Sequence, residues 1–563
     1  MGNQLVGIAP SQIFPVERYL TDHPELKFDA SLGSTRFLKV ARAESQEGLV
    51  VVKVFAIHDP SLPLLTYKDH LEDVRKKLSS AVNCIPYQKM ILTEKAGLIL
   101  REYVKYSLYD RISTRPFLTN IEKRWITFQI LYALHQCHKV GVCHGDIKLE
   151  NITVTSWNWV LLVDFASFKP TFVPVDNPSD YSYFFDTSRR RTCYIAPERF
   201  SSTGTTYTES SALFTETTCD SGDLTPAMDI FSAGCALLEL WNELHVPFEY
   251  SQLLAYRSGK YLPQKHLDKL EEPNLKSLIS SMIEKDPSKR FSAEDYLAQY
   301  RGNLFPEYFF SFLQSYMLIF SASPILSPDE KIMRLKTDIG NIFKFLGPVT
   351  KYSEEKDGEK HDSQKDKGEC EGLVLITSLV TSCIRGLHDC SSKLYSLEIL
   401  LELASHASDE TVLDRILPYI MYLAHDSSTR VKISAINTIT KCLDLVAKIP
   451  RSDANIFPEY ILPELAPLAT DPNTCVRAAY AKNIATLAEI SLRYLEQIQN
   501  DWYDNNSTNK QKDIHTFNYE LELQALHEMI SQTISALLTD TQSIVKQTLM
   551  DSGITKLCVF LEK

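Results

Sequence analysis

Two stretches of this chain, 45 residues apart, repeat one another: ILPYIMYLAHDSSTRVKISA begins at Ile416 and ILPELAPLATDPNTCVRAAYA at Ile461. In each, an aspartate (Asp426, Asp471) precedes a valine and a basic residue (Val431-Lys432, Val476-Arg477). A third copy, Asp540 with Val545-Lys546, follows a polar insertion around residues 500–513. Apolar residues at helical spacing surround all three. A unit of two antiparallel helices cannot bury its apolar face alone, so such units must stack on their neighbours. The C-terminal part is thereby confined to an all-α array. A curved surface for partners is its expected use, and a spacer is the alternative. Ahead of it, KYSEEKDGEKHDSQKDKGEC at 351–370 is almost wholly charged or polar and reads as a linker.

Composition narrows the rest. The 563 residues are 44% hydrophobic and 23% charged, which is ordinary globular material with enough apolar mass for real cores. There are 59 basic and 71 acidic residues, a formal charge of −12, so the basic excess of a dedicated nucleic-acid binder is missing. Twelve cysteines without a CxxC pair suit a reducing compartment. One spacing, Cys137-His138 with Cys143-His144, has a metal-like look, although His144 has a better use below. The N-terminus lacks a secretory pattern. The apolar stretch at 304–326 is broken by Glu307, Gln314 and Pro324 and does not read as a membrane span. The chain opens MGNQLVG, so removal of Met1 exposes Gly2 as a myristoylation acceptor, though Val6 stands where Ser or Thr is usual. One such chain holds a membrane only marginally, and a second contact would be needed.

Residues 26–113 alternate short β-rich runs (37–41, 49–55, 98–103) with a helical stretch at 67–78, whereas 121–301 is mainly helical. A strand-rich lobe followed by a helix-rich lobe predicts a cleft between the two. Residues 201–224, dense in Ser and Thr, read as a mobile surface loop.

The strongest chemical signal is HGDIKLEN, His144 to Asn151, after a predicted helix at 125–137. It resembles the HRDxKxxN catalytic loop of protein kinases. Asp146 is placed to accept a hydroxyl proton, Lys148 to neutralise the transferring phosphoryl group and Asn151 to hold a magnesium ion. Thirteen residues on, Asp164-Phe165-Ala166 matches the DFG position, whose aspartate binds Mg²⁺. Lys53 in VVKVF resembles the strand lysine that contacts the phosphates, and Glu72, nineteen residues later, is placed to pair with it. Ala196-Pro197-Glu198 gives the APE element, Asp229 resembles the buried helix aspartate under the catalytic loop, and Arg290 is expected to pair with Glu198.

Several positions depart from that pattern. The phosphate loop keeps Gly33, Phe37 and Val40, but Thr35 and Leu38 replace two glycines, which reshapes a cradle that relies on close backbone approach. Arg36 and Lys39 either compensate with charge or face solvent. Gly145 replaces the arginine that reads a phosphorylated activation loop. Arg189-Arg190-Arg191 is expected to face solvent, with binding of acidic groups as the alternative. Ala166 replaces the flexible glycine of DFG. Slow or highly selective phosphoryl transfer is the expectation. Aligning LILREYV with the strand entering the hinge puts Arg101 at the gatekeeper, with Glu102 and Val104 following. Arg101 donates only, so it could favour guanine over adenine; pairing with Glu72 or turning to solvent is the alternative.

MGNQL, HGDIKLEN, the DFA triplet, RTCYIAPERF and the repeats after a charged linker together resemble one family, the protein-kinase-like regulatory subunits of the class III phosphatidylinositol 3-kinase complex. The resemblance covers essentially the whole chain. It implies an α+β bilobal protein-kinase fold followed by an all-α HEAT-repeat solenoid. The division is an N-terminal segment (1–25) myristoylated at Gly2, a kinase-like domain (26–325), a helical extension and charged linker (326–370) and HEAT repeats (371–563). Implied cofactors are Mg²⁺ with ATP or GTP. Implied partners are the lipid kinase catalytic subunit, beclin-type and coiled-coil autophagy subunits and a membrane surface, with no nucleic acid. The expected location is cytoplasmic, peripheral on endosomal and autophagosomal membranes. Family members continue into a WD-repeat propeller, so this chain resembles a fragment or shortened form. The implied role is a membrane-anchored, nucleotide-binding regulatory scaffold that controls the lipid kinase in autophagy and endosomal sorting. An active serine/threonine kinase acting on itself or a partner is the alternative.

Overall fold

The computed structural model describes residues 15–34, 38–56, 64–93, 96–166, 169–185, 190–201, 223–346, 370–450, 453, 455–508 and 519–562. Gly2, Val6, Thr35, Arg36, Phe37 and Arg189 lie outside these, as do residues 202–222 of the Ser/Thr-rich stretch and 351–369 of the linker. The described chain forms two compact units, divided between Ala322 and Ser323.

The first unit begins with a five-stranded sheet built from β1 (Lys27–Ser34), β2 (Lys39–Ser45), β3 (Gly48–Ala56), β5 (Lys89–Leu92) and β6 (Ala96–Glu102), in the order β1-β2-β3-β6-β5. Period-two alternation sorts its side chains. Val50, Val52, Val54, Leu98 and Leu100 bury on one face with Val16 and Leu20 of a short N-terminal helix. On the other face Ile99 packs with Leu71 and Tyr87. The antiparallel register sets Lys53 opposite Ile99 and Val51 opposite Arg101, so Lys53 and Arg101 are diagonal neighbours on that second face.

Helix α1 (Leu64–Lys77) covers this face with Leu71 and Val74, spaced by three residues. Glu72, one position beyond Leu71, is rotated by about 100° and is exposed. In the helical lobe, α2 (Asn120–Lys139) starts with a capping box between Thr119 and Glu122 and buries Trp125, Phe128, Leu131 and Leu134. Beyond it lie β8 (Ile152–Val154) and β9 (Val160–Val163), paired antiparallel, with β4 (Cys84–Ile85) and β7 (Tyr106–Ser107) on their outer sides. Helix α3 (Pro226–Trp241) is buried along most of its length.

The second unit holds helices and connecting turns, with no strand among its described residues. Its main helices are α4 (Pro328–Leu346), α5 (Leu373–Ile384), α6 (Cys390–Ala404), α7 (Leu417–Leu423), α8 (Thr429–Leu445), α9 (Thr474–Thr508), α10 (Tyr519–Leu538) and α11 (Ser543–Asp551). Packing runs α4 on α6, α6 on α8, α8 on α9 and α9 on α11, while α7 backs α8 and α10 backs α9. The helix taken from sequence as an extension, α4, is thus packed into this unit. The three repeated aspartates form a ladder, each paired with a basic residue of an earlier helix. Lys393 pairs with Asp426 at 2.6 Å, Lys432 with Asp471 at 2.7 Å and Arg477 with Asp540 at 2.6 Å. The other oxygen of each aspartate accepts a backbone N–H two residues on, from Ser428, Asn473 or Gln542, each at 2.8 Å. No described helix in either unit is long and apolar enough to cross a membrane.

Candidate active site

The cleft of the first unit holds a cavity of about 340 Å³. Leu38, Val40 and Val51 give it an apolar wall, and Lys53, Arg101, Asp146, Lys148, Asn151, Asp164 and Lys169 gather around its polar part. Gly33 and Val104 also line it, whereas Glu72 and Glu102 do not. Gly33 has φ +133°, a conformation suited to glycine, with open space where a Cβ would stand.

The catalytic loop is held from beneath. Asp229 accepts the backbone N–H of His144 at 2.7 Å and of Gly145 at 2.8 Å, and meets His138 Nε2 at 3.1 Å. His144 places Nε2 2.8 Å from the Val163 carbonyl, and its own carbonyl accepts the Ala166 N–H at 2.8 Å. His144 is therefore built into the frame, and burial lowers its pKa. His138, Cys143 and Asp229 bring possible ligand atoms within 4.8 Å of one another. Asp229 is committed to two backbone donors there, so the cluster reads as scaffold, not as a metal centre.

Gly145 has φ +79°, and a Cβ on it would lie 2.6 Å from Leu224 Cδ1. A larger residue there would strain the backbone and have to push Leu224 aside. The work of tying the loop falls instead to Arg199, 1% exposed, which donates to the carbonyls of Gly145 (2.7 Å), Thr171 (2.7 Å) and Pro170 (3.1 Å). The expected Glu198–Arg290 pair forms with both carboxylate oxygens, at 2.7 and 3.0 Å.

Asp146, Lys148 and Asn151 come together as their spacing predicts. Lys148 Nζ lies 3.4 Å from the Asp146 carboxylate, and Asn151 Nδ2 donates to the Asp146 carbonyl (2.8 Å) and carboxylate (2.9 Å). Sequence reasoning missed Lys169, whose Nζ donates to Asp146 at 2.6 Å; its one signal is a basic residue five positions after Asp164. Burial works to raise the Asp146 pKa, but Lys148 and Lys169 outweigh it and hold the group down to about 2. Lys169 itself is lowered to about 8, chiefly by burial.

The expected Lys53–Glu72 pair is absent. Lys53 Nζ lies 2.8 Å from Asp164, because the inward positions of α1 belong to leucine and valine and leave Glu72 in solvent. Arg101 neither meets Glu72 nor turns outward. Its Nε and Nη2 donate to the two Asp164 oxygens at 2.7 and 3.1 Å, and Nη1 donates to the Glu102 carbonyl at 3.0 Å. Tyr87, which no motif announced, adds its hydroxyl to Asp164 at 3.3 Å. Burial opposes ionisation of Asp164, yet Arg101 and Lys53 hold its carboxyl well below the usual range. Arg190, expected in solvent, bonds Glu150 at 2.9 Å and the fully buried Glu239, and stacks on Tyr109 with 3.9 Å to the ring centroid.

Such a cavity, apolar at one side and cationic at the other, suits a nucleoside polyphosphate. A divalent cation fits less well. Both oxygens of Asp164 already face Arg101 and Lys53.

The sheet-bearing lobe, the helical lobe and the loop between them define a protein-kinase-type domain. Comparison with known families agrees: residues 30–300 match the protein kinase domain, and residues 376–563 match the PIK3R4-like, middle domain. The chain is 35% identical to "Serine/threonine-protein kinase VPS15" of Arabidopsis thaliana over 95% of its own length and 39% of the relative's. To the Schizosaccharomyces pombe protein named "Serine/threonine-protein kinase vps15" it is 34% identical, over all of this chain and 37% of that one. The Saccharomyces cerevisiae VPS15 kinase is 32% identical, with 100% and 42% covered. The chain belongs to this VPS15-type family, which joins a protein kinase domain to a PIK3R4-like middle domain. It spans about two fifths of the length of these curated relatives.

Proposed function

We propose that this chain forms the nucleotide-binding, kinase-like and helical part of a membrane-anchored regulatory scaffold in a class III phosphatidylinositol 3-kinase complex. Nucleotide in the cleft sets lobe closure and so biases the attached lipid kinase, to the extent that it binds the two lobe states with different affinity. The helical array, read as HEAT-type repeats, offers surface to the lipid kinase catalytic subunit and to beclin-type and coiled-coil subunits. Myristoylation at Gly2 supplies one of the membrane contacts, on endosomal and autophagosomal membranes, for autophagy and endosomal sorting. One observation carries the regulatory reading: the carboxylate of Asp164, the expected metal ligand, is tied to two internal cations. A site organised for rapid turnover keeps that group for the metal that bridges the phosphates.

The second reading, a working serine/threonine kinase, rests on the assembled Asp146, Lys148 and Asn151. The deciding experiment follows labelled γ-phosphate from ATP and from GTP in magnesium, with Asp146→Asn as control. Nucleotide that binds without measurable transfer is the expected outcome. Transfer abolished by Asp146→Asn would replace the scaffold reading with the kinase reading.

A further inference from the structure

The polar part of the cleft is over-supplied with positive charge. Among the described residues, Lys53, Arg101, Lys148 and Lys169 face Asp146 and Asp164, while beside them Glu150 shares Arg190 with the buried Glu239. At the outer rim, Lys105 and Asp110 offset one another in formal charge. With the Arg190–Glu150–Glu239 cluster included, the inner group carries a formal excess of one positive charge. A kinase site of the ordinary pattern has the opposite balance, with the helix glutamate and two aspartates against two lysines, and relies on magnesium to accept phosphate. Here the glutamate is removed to solvent and two further cations are added.

Arg101 is the decisive one. It reaches Asp164 from the strand next to the one carrying Lys53, and its fork covers both carboxylate oxygens at 2.7 and 3.1 Å. A guanidinium cannot shed its proton, so this charge is permanent, and the Glu102 carbonyl helps to fix its place. A magnesium ion on Asp164 would have to displace it and then sit beside Lys53 and Lys169.

We infer that this site binds the phosphates of a nucleoside polyphosphate without a divalent cation, Arg101 and Lys169 supplying the charge that magnesium brings elsewhere. This rests on the nucleotide-binding reading above and deepens it. Under it, Arg101 serves the polyphosphate end of the ligand, not the base.

The test measures binding of a fluorescent methylanthraniloyl ATP, and of its GTP counterpart, to the full chain in excess EDTA and in excess magnesium chloride. The two dissociation constants are expected to agree within about threefold. Arg101→Met should weaken binding in EDTA by about tenfold or more and weaken it less in magnesium, so that a metal dependence appears where there was none. Lys169→Gln, on the Asp146 side of the cavity, should shift in the same direction and covers the case in which Arg101→Met does not fold. Wild-type binding that vanishes in EDTA and returns with magnesium would overturn the inference and leave nucleotide binding standing. No binding in either medium would remove the nucleotide reading, and this inference with it.

Discussion

The two units of this chain use ion pairs in opposite ways. In the helical array each aspartate of the ladder has one cation and one backbone N–H, and the arrangement recurs with pair distances of 2.6, 2.7 and 2.6 Å. In the cleft, Asp164 and Asp146 each have two cations. The ladder matches one acid to one base at each rung, and its pairs lie near the surface. The cleft is deeply buried and left with surplus positive charge. A closed ladder fixes the register of helices. An open, cationic pocket is unfinished until an anion enters it, because buried charge without full compensation is costly.

That difference is broken most directly by removing one acid from the cleft. Asp164→Ala leaves Arg101 and Lys53 buried and unpaired, with side chains 9% and 13% exposed. A loss of about 3–5 kcal/mol in the stability of the kinase-like unit is expected, read from chemical denaturation. An added nucleoside triphosphate should then recover more stability in the variant than in the wild type, since its phosphates replace the missing carboxylate. A loss below about 1 kcal/mol, with no extra recovery, would mean that the two cations relax into solvent.

Which of these features sequence could reveal follows from how each is specified. The ladder aspartates, with Lys432 and Arg477, announce themselves through repetition, whereas Lys393 lies ahead of the repeat and Lys546 of the third copy forms no rung among the described residues. The catalytic loop, the DFG position, the Asp229 support and the Glu198–Arg290 pair are carried by short motifs with fixed spacing. Arg101 was visible as an odd residue at a known position, but its partner lies 63 residues away and is chosen by strand register. The fate of Glu72 depends on which residues of α1 turn inward, and a one-position rotation moved it from the cleft to solvent. Arg190 looked like surface charge because Glu150 and Glu239, 40 and 49 residues away, belong to different elements. Gly145 was legible as a missing arginine, whereas Arg199 as its replacement tie required three carbonyls to converge.

A pH titration sharpens the comparison with a smaller effect. Lys169 is held to about 8, well under an ordinary lysine, chiefly by burial and then by Lys148 and Lys53 against the pull of Asp146. The sign follows from the direction: the folded state favours the neutral amine, so the charge is present below about pH 8 and is lost above it. Nucleotide affinity should therefore be highest below that point and fall by about tenfold, or 1.4 kcal/mol, by pH 9. Lys169→Gln should flatten the fall. An unchanged profile in that variant would assign the titration to another group.

The smallest expected effect is in the ladder, and it tests whether the array is as evenly closed as its geometry indicates. In the middle rung the Asp471 side chain is 7% exposed but Lys432 is 21% exposed, so water screens the pair. Asp471→Ala removes that pair together with the acceptor for the Asn473 N–H, and should cost about 1 kcal/mol. Lys432→Ala removes the pair alone and should cost less. The cycle with both substitutions isolates a coupling of about 0.5 kcal/mol. The corresponding cycle at Lys393–Asp426, the other rung built on a lysine, should agree with it within about 0.5 kcal/mol, whereas Arg477 takes both oxygens of Asp540, at 2.6 and 3.1 Å, and should couple more strongly. A large disagreement between the two lysine rungs would mean that the array holds a local charge imbalance like that of the cleft, and the contrast between the units would then be one of degree.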